Sequence, residues 1–124
     1  MVAAYASAFG MKVIAYDPHV ADEVFARCGV RRATLSELFS SSDIVSLHPL
    51  LTDETKEMIK ETHLKSMRPS AYLINNARAE LIERGALEKA VKNRWIAGAA
   101  VDVLWDEKDD GTHLKDNPLV EYAR

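Results

Sequence analysis

Short apolar runs, each closed by polar residues and each parted from the next by a helical stretch, recur along this chain. "KVIAY" (12–16) ends at Asp17-Pro18 and "DIVSL" (43–47) at His48. "AYLIN" (71–75) breaks off into Asn76, Ala77 and Arg78, and "IAGAAVDVL" (96–104) leads into "WDE". Strands this apolar are suited to burial on both faces, and helices between them favour parallel pairing, because parallel neighbours need a crossover. The helices have signals of their own. Val2, Tyr5, Ala6 and Phe9 share helical spacing, and Gly10 is placed to end that helix. A helix over 21–28 precedes Gly29, and Thr34 with Glu37 three residues later forms a capping box. Further helices are expected over 61–67 and 83–93. The expected fold class is α/β, a Rossmann-like doubly wound parallel sheet. Right-handed crossovers gather the strand C-termini on one edge, where ligands of such sheets bind. The polar residues that close the strands fall on that edge.

Composition narrows the classes. The 124 residues suffice for one domain, and 48% hydrophobic with 28% charged residues suits a globular chain rather than a disordered one. Net charge is −3 with both signs interspersed, so no basic face points to nucleic acid. The single Cys28 cannot form an internal disulfide, and no Cys/His cluster has zinc spacing, so no metal site is expected and a reducing compartment fits. No apolar run is long enough to span a bilayer, and "MVAAYASAFGMKV" lacks the basic start of a secretory signal. The expectation is a cytoplasmic protein with no membrane partner. The polar "DEKDDGTHLKDNPL" (106–119) reads as a surface loop.

Several strand-closing residues have two readings each. Asp17 suits a carboxylate accepting from the ribose hydroxyls of a dinucleotide, or simply an Asp-Pro turn. As a ribose ligand it would repel a 2′-phosphate and so favour NAD over NADP. Arg78 carries a planar, permanent charge able to grip a carboxylate through two parallel hydrogen bonds. Its other reading, for a partly buried guanidinium, is a structural salt bridge with Glu80 or Glu83. Asp102 could accept from a carboxamide and Glu107 could orient an imidazole; alternatively, "DEKDD" is a solvated acidic loop. His48 either meets a ligand at its strand end or plays a structural part. Trp95 and Trp105 read as packing residues.

In order and spacing, "FGMKVIAYDP", "DIVSLHPLLTDETKEMI", "MRPSAYLINNARAELIERGALEKAV" and "IAGAAVDVLWDE" resemble the D-isomer-specific 2-hydroxyacid dehydrogenases, over nearly the whole chain. The resemblance implies an NAD-dependent oxidoreductase acting on a small 2-hydroxy or 2-oxo acid, and a homodimer at full length. It makes Asp17 the ribose carboxylate, puts His48, Pro49, Asn76, Ala77 and Arg78 in the cofactor groove, and sets Asp102 beside the nicotinamide carboxamide. Arg78 matches the arginine that binds substrate, and Glu107 the glutamate that pairs with the catalytic histidine.

There are departures. The proline after His48 is displaced by one, Ala79 and Glu80 stand for glycine-rich residues, and Lys108 stands where proline is usual. No Gly-x-Gly-x-x-Gly run precedes Asp17, which such loops lead by about 20 residues. The family's Pro-His would follow "NPLVEYAR", and His113 lies too near Glu107 to replace it. Residues 1–124 are therefore expected to form a partial NAD-binding domain, truncated of its first strand and C-terminal portion. The substrate domain is absent, and the piece alone is expected to be inactive. The other class in view is a non-catalytic NAD(H)-sensing corepressor of the same fold.

Overall fold

The computed structural model describes residues 1–105 and 117–122. The chain divides into two compact units, Met1–Leu38 and Phe39–Arg124.

In the first unit, α1 (Val2–Ala8) precedes β1 (Ile14–Ala15), α2 (Asp22–Arg27) and β2 (Arg31–Arg32). β1 and β2 pair in parallel, Ile14 opposite Arg31 and Ala15 opposite Arg32. β2 has no apolar run to announce it; it forms because Gly29, at φ +64, turns the chain out of α2 and back alongside β1. The expected strand over 12–16 shortens to two residues to match this partner. Phe25, Val30 and Ala33 are buried, whereas α1 buries none of its residues. α3 (Leu35–Ser41) starts as read, with Thr34 Oγ1 accepting from Glu37 N at 3.1 Å.

The second unit holds a parallel sheet in the order β3-β4-β5, from β3 (Ile44–Leu47), β4 (Tyr72–Asn75) and β5 (Gly98–Val101). Its helices are α4 (Glu61–Ser66) and α5 (Ala86–Lys92), with 3-10 turns at Ala79–Leu81 and Pro118–Tyr122. Alternation sorts the two faces. Val45, Leu47, Leu73 and Asn75 point into the core with Phe39, Leu64, Leu81 and Ala90. Ile44 and Tyr72, on the other face, stay about half exposed at 48% and 52%. Burial on both faces was the expectation; among the described residues Ile44 and Tyr72 stay open, while Ser46 and Ile74 on the same face are half-buried.

α5 starts at Ala86 rather than at Glu83, because Glu83 is used elsewhere: its Oε2 accepts Glu61 N at 2.9 Å, at the start of α4. His63 serves the same helix end, its Nδ1 accepting Lys60 N at 2.9 Å. A parallel bridge between Ile59 and Ile82 joins the segment after β3 to the segment after β4. Trp105 packs as read and donates its Nε1–H to Ile82 O at 3.1 Å. No helix among the described residues is long and apolar enough to cross a membrane.

Candidate functional site

The register of the second sheet decides what meets at its carboxyl edge. Leu47, Asn75 and Val101 lie opposite one another across the three strands. The next residue of each strand is therefore His48, Asn76 and Asp102, and these stand side by side past the sheet's end. All three are exposed. Strand parity turns them toward the side of Ser46, Ile74 and Ala100, away from the core. A bond of 2.9 Å between His48 Nε2 and Ser46 Oγ agrees with that direction. Pro49, half-buried, follows His48 into a loop fastened by Thr55, whose Oγ1 donates to Leu50 O at 2.6 Å.

Behind this row, Asn75 is 1% exposed and binds in three directions. Its Oδ1 accepts Ala77 N at 3.1 Å, its Nδ2 donates to Arg78 O at 2.9 Å, and its main-chain oxygen accepts Asp102 N at 3.1 Å. Sequence reading assigned Asn75 no role. The available signal was a polar residue two places after Leu73, at a position that alternation sends inward.

Arg78 is exposed, not partly buried. Its Nη1 donates to Ala77 O at 2.8 Å, and no carboxylate among the described residues forms an ion pair with it. The salt bridge weighed with Glu80 or Glu83 is not made. A guanidinium without a carboxylate, at the carboxyl edge of a parallel sheet, retains donors for an external anion.

Asp17 belongs to the first unit. Its Oδ1 accepts His19 N at 2.9 Å, so the turn reading holds, and its Oδ2 has no protein partner among the described residues. Arg32 secures this loop, donating to Asp17 O at 3.1 Å, Val20 O at 3.2 Å and Asp22 Oδ1 at 2.6 Å. That clasp went unread because β2 did. Glu107 lies outside the described residues, as do Lys108 and His113.

The sequence pattern of the family described as "D-isomer specific 2-hydroxyacid dehydrogenase, NAD binding domain" matches residues 1–124. The chain belongs to this family. It is 39% identical over 112 residues to a glyoxylate reductase of Aeropyrum pernix, covering 90% of this chain and 33% of that protein. To the D-3-phosphoglycerate dehydrogenase of Bacillus subtilis it is 38% identical over 119 residues, covering 96% and 23%. A D-lactate dehydrogenase from Aquifex aeolicus, solved with NAD and lactic acid, superposes with a TM-score of 0.80 at 36% identity, covering 99% of this chain and 35% of that one. The chain thus spans about a third or less of the length of the curated relatives it matches. As NAD-binding-domain sequence of D-2-hydroxyacid dehydrogenases, it confirms the α/β Rossmann-like fold and the NAD cofactor read from the motifs.

The end of β5 suits such a cofactor: Asp102 is an exposed acceptor, and exposed Ala100, on the face to which His48, Asn76 and Asp102 turn, adds no bulk there.

Proposed function

We propose that the protein to which these residues belong is an NAD-dependent dehydrogenase of small 2-hydroxy acids, working reversibly on the matching 2-oxo acids. The observation that carries this reading is Arg78: an exposed guanidinium without a carboxylate partner among the described residues, just past a row of ligand-competent side chains. Asp17 holds the ribose hydroxyls. His48, Pro49, Asn76, Ala77 and Arg78 line the cofactor groove, and Asp102 accepts from the carboxamide. Bound NAD(H) supplies or receives the hydride at C2 of the substrate.

Arg78 grips the substrate carboxylate and polarises the carbonyl, and its fixed charge stabilises the oxygen as negative charge grows there. To Glu107 we assign the pairing with the family's catalytic histidine. A carboxylate beside an imidazole favours the protonated form and keeps a proton available near neutral pH. Residues 1–124 form part of the cofactor domain, the substrate domain lies elsewhere in the protein, and the full-length protein is a cytoplasmic homodimer.

The test is NADH oxidation by the full-length protein with glyoxylate, pyruvate and a phosphorylated 2-oxo acid. Arg78→Ala should lower kcat/KM about 30-fold or more, since truncating one partner of a charge pair that bound substrate shields from water costs about 2–5 kcal/mol. A variant with near-normal turnover would reject the role given to Arg78.

A further inference from the structure

Asn75 is the only buried polar side chain among the described residues. An amide removed from water needs partners for both ends, and here both partners lie on the turn that carries Arg78. Oδ1 takes the Ala77 N–H and Nδ2 gives to the Arg78 carbonyl, so one rigid plane closes on the chain from two sides. An apolar residue at 75 would leave Ala77 N and Arg78 O without these bonds. The main-chain oxygen of the same residue holds Asp102 N, which ties the end of β5 to this turn. Three residues facing the proposed substrate and cofactor are thus set by one side chain and its own carbonyl.

We infer that Asn75 is a positioning residue for the anion clamp: its amide, donor and acceptor at once, fixes the direction in which Arg78 leaves β4. This rests on the reading of Arg78 as the substrate-binding guanidinium.

Aspartate at 75 separates this role from mere core packing, because it is nearly isosteric with asparagine. Ionised, it still accepts from Ala77 N but has no proton for Arg78 O, and the two oxygens repel. Protonated, it recovers one donor and one acceptor and can replace the amide bond for bond. Burial favours that neutral form. The charged groups around the position are Arg78 on its own turn, His48 and Asp102 at the neighbouring strand ends, and Glu83, Arg84 and Glu88 along the adjoining cavity of about 280 Å³. All are shared by variant and parent, so the ratio of the two isolates residue 75.

In the full-length protein, kcat/KM for glyoxylate or pyruvate should fall at least about tenfold in Asn75→Asp near pH 8. The deficit should shrink steadily as pH is lowered toward about 5.5. Asn75→Ala, which has no proton to regain, should show a loss with no acid recovery. An Asn75→Asp ratio that is flat with pH, or undiminished activity near pH 8, overturns the inference. If the protein oxidises NADH with none of the 2-oxo acids, the functional reading falls, and amide exchange at Ala77 decides the matter for Asn75. Exchange at least about tenfold faster in Asn75→Ala than in the parent supports the pin, and equal exchange overturns it.

Discussion

Residues 1–38 and residues 39–122 contain the same kinds of element, yet only the second region builds a deep core. The first pairs two strands of two residues each and buries Phe25, Val30 and Ala33. In its opening helix and the residues that flank it, Met1 is 91%, Tyr5 62% and Phe9 83% exposed. The second region pairs β3, β4 and β5 in continuous register and seals Phe39, Leu64, Leu73 and Leu81 at 0% exposure. A two-stranded ribbon is marginal alone, whereas a third strand and a packed helix layer let a sheet hold its own shape. The difference bears on function. Arg78 and Asp102, proposed as clamp and carboxamide acceptor, stand at the edge of the well-packed sheet, where small errors of position are costly. Asp17, the proposed ribose ligand, sits in a loop that Arg32 holds, where a hydroxyl acceptor tolerates more latitude.

Core truncation gives the largest expected contrast. Leu73→Ala should destabilise the second region by about 2–5 kcal/mol, the range for a fully buried leucine. Phe9→Ala in the first region should change stability by no more than about 0.5 kcal/mol. Denaturant titration of the polypeptide 1–124 checks both, and equal costs would break the comparison.

Next comes cofactor choice. Asp17→Ala should leave kcat for the 2-oxo acid nearly intact while raising KM for NADH, and should narrow the preference over NADPH by about tenfold, the effect of about 1.4 kcal/mol. Steady-state kinetics with both cofactors reads this directly. An unchanged preference would mean that Asp17 serves its turn alone.

The smallest effect is that of pH on the second region. Lys65, and next Lys89, hydrogen-bond Glu61 at 2.7 Å and lower its pKa from 4.5 to about 2. Because the folded value is depressed, the stabilisation is present above pH 4.5 and is lost as pH falls toward 2. The pairs lie at the surface, so the effect is modest and weakens with salt. Burial, and then the charge of Lys60, lowers the His63 pKa below 6.5. The unfolded chain then takes up a proton that the folded chain resists, and stability declines as pH drops below 6.5. His63→Gln should flatten that upper portion of the melting-temperature profile; an unaltered profile would remove His63 from the account.

Much of this was legible in the residues alone. Apolar runs parted by helical stretches specify a parallel α/β sheet, because each run is too short and too uniformly apolar for a helix and its neighbour lies across a crossover. Thr34 and Glu37 announced the start of α3, and Gly29 the end of α2. The motifs around Asp17, His48, Arg78 and Asp102 carried the family and its cofactor, since these spacings repeat as a set.

Tertiary structure decided the rest. β2 has two arginines and no apolar pattern, so only its pairing with β1 makes it a strand. Whether Arg78 met Glu80, Glu83 or neither depended on where Glu83 went, and it went to the start of α4. Above all, the sequence shows Asn75 only as one more polar residue at a strand end. Its importance comes from being sent inward by alternation, where water is excluded and its amide must bind the turn that bears the arginine.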